Sequence, residues 1–159
     1  MIRVSHSGEF NSACALLDPV SEGSFVSEKF FNLLRIPSKS INAQVLGLNN
    51  GVAARSSKIC TLTLCSRFNP VLRLEAITLV LPHLTRKLPS CQLDLASFQS
   101  LPDIFLAVSE FYKSSNIEIL IGSDLKTLSR FWEIKDIPSK PCSSVAGKYC
   151  EEYYTQTTS

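Results

Sequence analysis

Charge is scarce in this chain, and no part of it is a block of one sign. Asp, Glu, Lys and Arg make up 19% of the 159 residues, and the net charge is +2. Acidic and basic residues alternate along the chain, so the composition gives no support for nucleic-acid binding. Hydrophobic residues make up 45%, which favours a packed core over general disorder.

Close pairs of metal ligands are also lacking. None of the six cysteines belongs to a Cys-x-x-Cys pair, and the two histidines, His6 and His83, stand apart from them. Structural zinc sites usually show such pairs, so we expect no metal site. The cysteines are therefore interpreted as free thiols, which favours a reducing, intracellular setting, cytoplasmic by default.

The chain has no long hydrophobic run. The most apolar stretch, residues 71–84, is interrupted by Arg73 and Glu75. It is too short and too charged to span a bilayer, so we expect no membrane partner. The first eighteen residues carry several charges, so no apolar core of a signal peptide is expected there.

The order of apolar and turn-forming residues along the sequence predicts mainly short strands and turns. Asn49-Asn50-Gly51 is a strong turn signal, because Asn and Gly tolerate positive φ. Ser7-Gly8 predicts a second hairpin turn, and Gly122 predicts the end of a buried strand. Residues 84–116 look irregular. Apolar or alternating runs predict strands over residues 1–5, 14–18, 41–48, 52–66, 71–81 and 119–121.

Two short helices are expected, over Ser27–Leu34 and Ser123–Phe131. In each, the leading serine can cap the helix and apolar residues recur at helical spacing. The composition changes after Lys135 to prolines, serines and a polar end. We therefore expect one domain over residues 1–135 and a poorly ordered tail over 136–159.

Five short motifs follow one another between Ala15 and Leu125. They are Leu16-Leu17-Asp18, the segment Ser21–Ser27, Val45–Gly51, Leu79–Pro82 with Leu84-Thr85 and Leu88-Pro89, and Ile119–Asp124. In this order and spacing they resemble the retropepsin-like aspartic peptidase domain of Pao/Bel-type LTR retrotransposon polyproteins. The resemblance implies a mostly β fold: a small closed barrel with two short helices. It also implies a chain cut from a longer polyprotein.

The resemblance further implies a site. Asp18 would be the catalytic residue, one of two aspartates that share a proton across a homodimer. Leu17, Ile119 and Ile121 would lie buried together beneath the Asp18 loop. The reaction would be hydrolysis of a peptide or polyprotein substrate, with no metal and no organic cofactor. The hairpin tip would cover the substrate on the face that holds Asp18, as a flap formed by Gly47, Leu48, Asn49, Asn50 and Gly51.

The sequence departs from the family at the centre of this site. Asp18 is followed by Pro19 and Val20, where the family has Ser or Thr and then Gly. Proline has no hydroxyl to bridge the two loops, and valine adds bulk where glycine permits close approach. Ser21 carries a hydroxyl one position too late. We therefore expect the peptidase to be impaired.

Two alternatives stay open. The first is a non-catalytic remnant of the same fold that dimerises or binds peptides, and the second is an unrelated small β domain that binds a ligand. The individual residues also have simpler interpretations. Asp18 can be a turn former, Asn49-Asn50-Gly51 an ordinary hairpin, and Asp124 the N-terminal acid of a helix instead of a second carboxylate.

Overall fold

A computed structural model describes residues 2–6, 8–47, 51–66, 71–91, 93, 110 and 112–125. Within these ranges lie eight strands and one helix, so the predicted mostly β fold is confirmed. The predicted tail, 136–159, lies outside the described residues. The strands are β1 (Ile2–His6), β2 (Glu9–Ala13), β3 (Ala15–Leu17), β4 (Ser24–Ser27), β5 (Lys39–Leu46), β6 (Val52–Cys65), β7 (Arg73–Leu81) and β8 (Ile119–Ile121), and the helix is α1 (Glu28–Leu34).

All eight strands belong to one sheet, in the order β2-β1-β6-β7-β4-β8-β3, with β5 paired to β6 outside this path. The 14 residues of β6 allow it to pair with β5 near one end and with β1 near the other. The sheet curls into a half-barrel. Among the described strands β2 and β3 do not pair with each other, so this part of the chain forms a half-barrel and not the predicted closed barrel.

The N-terminal hairpin turns at Gly8, as the sequence predicts. β1 and β2 pair antiparallel over five residue pairs, from Ile2↔Ala13 to His6↔Glu9. Gly8 has a φ of 85°, which glycine adopts without the steric cost of a Cβ. After β2, only Cys14 separates the hairpin from β3, so the hairpin fixes the start of the strand that leads to Asp18.

Helix α1 confirms the first predicted helix. The side chain of Ser27 accepts a hydrogen bond from the backbone N–H of Phe30, which satisfies one of the free donors of the first turn. The helix ends because Arg35 adopts a left-handed conformation, with its N–H bonded to the carbonyl of Phe31. The second predicted helix is not seen: Ser123–Leu125 is not helical, and residues 126–131 lie outside the described ranges.

The core fills the concave side of the sheet. Alternate residues of β6, β7 and β8 point into it, and α1 packs its apolar face against it. Each such aliphatic side chain stabilises the fold by about 1.5–3 kcal/mol when fully buried. No helix in the described ranges is long and apolar enough to cross a membrane. The central core residues are Val4, Val26, Phe30, Leu34, Leu62, Leu64, Ala76, Val80, Ile119 and Ile121.

Candidate active-site loop

Three short strands from distant parts of the chain position the loop that carries Asp18. β8 lies between β3 and β4, parallel to the former and antiparallel to the latter. β4 in turn pairs parallel with β7. The chain therefore returns about a hundred residues later to insert β8 between two strands that are close neighbours in sequence.

Asp18 extends the β3 pairing by one hydrogen bond and then begins a tight turn. Its N–H donates to the carbonyl of Ile121 at 2.9 Å, and its own carbonyl accepts the N–H of Ser21 at 3.1 Å. Pro19 occupies the second position of this turn, where a fixed φ near −65° is favourable. Asp18, Pro19, Val20 and Ser21 therefore form a well-suited β-turn.

The Asp18 side chain takes part in the same turn. Its Oδ1 accepts the N–H of Val20 at 3.1 Å, the arrangement by which Asp commonly stabilises turns. This is the contact that the simpler interpretation of Asp18 as a turn former requires. The Val20 side chain is 75% exposed, so the loop presents an apolar group to solvent beside the carboxylate.

Gly122 is the point at which the β8 end and the Asp18 loop meet. A Cβ atom at Gly122 would lie 2.7 Å from the carbonyl oxygen of Ser21 and would collide with the carbonyl of Gly23 as well. The Ser21 carbonyl also accepts two hydrogen bonds from Ser123, from its N–H at 2.8 Å and its hydroxyl at 3.0 Å. Glycine is therefore needed here because two backbones touch.

Ser24 connects the start of β4 to the end of β8 through buried hydrogen bonds, and no sequence motif pointed to it. Its hydroxyl is buried, accepts the N–H of Gly122 at 3.1 Å and donates to Asp124 Oδ1 at 2.7 Å. Asp124 is thus the acceptor for a buried serine, and Ser123–Leu125 is not helical. The pairing spans about a hundred residues, so no local pattern could have revealed it.

The prediction that Leu17, Ile119 and Ile121 are buried together is wrong for Leu17. Leu17 pairs with Ile121 in the sheet, and both isoleucines are buried, but Leu17 is 37% exposed. β3 is an edge strand, with β8 as its single neighbour among the described strands. Its other flank pairs with no described strand.

The predicted flap falls on the hairpin that joins β5 to β6. Gly47 and Gly51 close this hairpin, with the Gly47 N–H bonded to the Gly51 carbonyl at 2.8 Å. Leu48, Asn49 and Asn50 lie outside the described residues, so the position of the tip over Asp18 stays a prediction. Leu46 and Val52, which pair just below the tip, are exposed.

A second feature lies at the other end of β4 and β8. It is a cleft of about 1120 Å³ lined by parts of α1, the N-terminal hairpin and the segments that flank β7 and β8. Both histidines, His6 and His83, line it, together with Lys29, Arg35 and Glu118, and Asp18 does not. No three His, Cys, Asp or Glu side chains of the described ranges form a group that could hold a metal ion.

Comparison with known proteins adds no further assignment: no family model, no curated protein and no solved structure matches this chain.

Proposed function

We propose that the domain is an aspartic-endopeptidase-like domain of the retropepsin type, derived from a retrotransposon polyprotein and impaired in cleavage. The observation that carries the proposal is the pairing of β3 with β8. Asp18 directly follows β3, and Gly122 directly follows β8 and touches the Asp18 loop. An aspartate strand backed by a second apolar strand that ends in glycine is the arrangement that such a peptidase requires.

Cleavage should be impaired because of the side chain that the Asp18 loop would bring to a second subunit. Catalysis needs two carboxylates within about 3 Å that share one proton. In a homodimer of this chain each subunit would bring Val20 to that junction, and its side chain projects into solvent. Overpacking a tight contact typically costs about 1–3 kcal/mol, and an error of about 1 Å in position lowers rates about a hundredfold.

The Asp18 carboxylate is also occupied within its own loop. Its Oδ1 accepts the Val20 N–H, so the carboxylate helps to hold the turn. Pro19 supplies no hydroxyl to connect the two loops. The turn therefore keeps its shape within one subunit, and the loop lacks the hydroxyl that would connect it to a partner loop.

The alternative is a non-catalytic remnant of this fold that dimerises or binds peptides. The observation that favours it is a set of exposed apolar side chains at the places where a peptidase would meet its partner or its substrate. These are Leu17 and Val20 beside Asp18, and Leu46 and Val52 at the hairpin. Exposed apolar side chains at these places are what a binding interface needs, whether or not the domain still cleaves peptides.

The test is a cleavage assay at acidic pH on a library of unstructured peptides, with and without pepstatin. The chain is compared with a Pro19→Ser/Val20→Gly variant, and Asp18→Asn is introduced into both as the matched control. We expect background cleavage by the unaltered chain, and pepstatin-sensitive cleavage by the double variant that Asp18→Asn abolishes. Sedimentation in parallel reports whether each variant forms the dimer that catalysis needs.

Two results would contradict the proposal. Robust cleavage by the unaltered chain that disappears in Asp18→Asn would show that the Asp-Pro-Val triplet still works, so the impairment would be wrong. A double variant that is folded and dimeric but inactive would argue against a peptidase site and for the non-catalytic alternative.

A further inference from the structure

The cleft lined by α1 and the N-terminal hairpin combines apolar residues with polar ones. Its lining includes three buried apolar residues, Phe30, Leu34 and Ile117. Leu33 also lines it, and this large apolar residue is 63% exposed. A ligand with apolar groups gains free energy when it covers such a surface and both are removed from water. The cleft therefore offers a place for apolar side chains of a ligand.

The size and the amide side chains of the cleft suit a peptide better than a small molecule. Its volume of about 1120 Å³ exceeds the roughly 300–1,000 Å³ of small-molecule sites. Three asparagines, Asn11, Asn32 and Asn116, line it. Each amide side chain carries donors and an acceptor, and so does each peptide group. An extended peptide therefore presents matching groups along its whole length.

The positive charges of the cleft come from α1 and the residue that caps it. Lys29 and Arg35 both line the cleft and are exposed. Within the described residues neither of them forms an ion pair. The acidic residue of the helix, Glu28, lies 4.0 Å from Lys58 and is not part of the lining. A carboxylate beside this side of α1 therefore meets two cations and no acid of the helix.

The two acidic residues of the lining belong to other elements. Glu118 directly precedes β8, and its Oε2 accepts the backbone N–H of Cys14 at 2.7 Å. Glu9 belongs to the N-terminal hairpin. The two histidines of the chain, His6 and His83, also line the cleft, and a histidine is either neutral or positive. The positive charges thus lie together at α1, whereas the negative ones are divided between the hairpin and the start of β8.

We propose that this cleft binds an extended segment of another polypeptide, in which acidic side chains stand next to apolar ones. The carboxylates of the segment lie against Lys29 and Arg35, where charged hydrogen bonds are roughly twice as strong as neutral ones. The apolar side chains pack against Leu33. An uncharged or basic peptide lacks the first contact and a small anion lacks the second, so an acidic and apolar peptide is the ligand that fits.

This site is separate from the Asp18 loop and does not depend on the proposed function. Neither Asp18 nor Val20 is among the residues that line the cleft. A peptide bound in the cleft therefore leaves the Asp18 loop uncovered. Val20→Asp changes that loop and should leave binding in the cleft unaltered.

The test uses three short fluorescent peptides of alternating Leu and Ser that differ in their two central residues, which are Glu, Gln or Lys. Fluorescence anisotropy measures the affinity of each peptide for the full chain at about 0.15 M salt, where surface charges are partly screened. We expect the Glu peptide to bind about tenfold more tightly than the Gln peptide, and the Lys peptide to bind most weakly.

The charge arm removes the two cations of the cleft with Lys29→Glu and Arg35→Asn in one variant. Asn suits the left-handed conformation of residue 35, so the helix end is preserved. Lys39→Glu with Arg73→Asn is the matched control, because it changes the net charge equally at exposed positions outside the lining. Circular dichroism verifies that both variants are folded. The cleft variant should bind the Glu peptide about tenfold more weakly, and the control should bind it as the unaltered chain does.

The apolar arm compares Leu33→Ser with Ile77→Ser. Ile77 is 62% exposed, nearly the same as Leu33, and it lies outside the cleft. Leu33→Ser should weaken all three peptides by about threefold or more, and Ile77→Ser should weaken none. NMR gives a readout without any variant: His6 and His83 are the two histidines of the chain and both line the cleft, so both ring signals should shift as the Glu peptide is added.

Four results would overturn the proposal. The first is that no peptide binds, as when the chain itself or a second copy already fills the cleft. The second is equal affinity for the Glu and Gln peptides. The third is binding that shifts neither histidine signal. The fourth is affinity that Val20→Asp abolishes and that Lys29→Glu with Arg35→Asn leaves unchanged, which would place the peptide at the Asp18 loop.

Discussion

Gly122 lies against the carbonyl oxygen of Ser21 with no room for a side chain between them, since a Cβ atom at Gly122 would lie 2.7 Å from that oxygen. The two residues come from opposite ends of the described chain. Their contact fixes the end of β8 against the loop that carries Asp18. The shape of the candidate site therefore depends on a backbone-to-backbone contact.

Replacing Gly122 by alanine should destabilise the fold by about 1–3 kcal/mol or more, because the added methyl group meets two rigid carbonyls. The measurement is the free energy of unfolding from urea denaturation. Gly51→Ala is the control, because a Cβ there meets no atom within 4 Å, and it should change stability by less than about 0.5 kcal/mol. Equal losses of unfolding free energy in both variants would contradict the close approach of Gly122 to the Ser21 carbonyl.

The turn at Asp18 predicts different effects for two substitutions. Asp18→Asn keeps an oxygen that can accept the Val20 N–H, so stability should stay within about 0.5 kcal/mol. Asp18→Ala removes the acceptor and should cost about 0.5–1.5 kcal/mol. Thermal unfolding of the two variants beside the unaltered chain measures the difference. If alanine is tolerated as well as asparagine, this hydrogen bond does not hold the turn.

Ser24→Ala should be among the more costly small substitutions. Ser24 is 2% exposed, and its loss leaves the buried N–H of Gly122 without an acceptor and Asp124 without its donor. An unsatisfied buried group costs about 1–3 kcal/mol. Ser40→Ala, at an exposed position of β5, is the matched control for chemical denaturation. A Ser24 variant as stable as the Ser40 variant would contradict the contacts.

The thiol of Cys60 should be protected in the folded chain. Burial raises the pKa of Cys60 above its usual value of 9.0, and this outweighs the hydrogen bond with Thr78, which lowers the pKa. At about pH 8 a thiol reagent should therefore modify exposed Cys91 more than about tenfold faster than Cys60. Peptide mapping by mass spectrometry identifies the modified residues, and equal rates would contradict the burial.

The same pKa shift gives a dependence of stability on pH. Because the folded-state pKa lies above 9.0, the neutral thiol contributes its full stabilisation below about pH 9. That contribution is lost as the pH rises through the folded-state pKa. A Cys60→Ala variant should lack this alkaline component, and the comparison of unfolding free energies at neutral and alkaline pH measures it.

Local patterns were enough for most of the elements. Alternating residues predicted β6, and a run of β-branched and aliphatic residues predicted β7. The observed strands agree to within two residues at each end. Ser27 and the spacing of Phe30, Phe31 and Leu34 predicted α1. Two strands, β2 and β4, were not predicted. β4 was missed because its four residues run directly into α1, and Ser27 serves as both the last strand residue and the helix cap.

The sequence by itself determined the alternation of strands, the capped helix, the two hairpin turns and the turn chemistry of Asp18-Pro19-Val20, because each depends on residues within a few positions of one another. The tertiary structure alone decided that β8 lies between β3 and β4, that Leu17 is exposed, and that Ser24 bonds to Gly122 and Asp124. These contacts join segments about a hundred residues apart. Their geometry is set by sheet pairing and close packing, which no local pattern encodes.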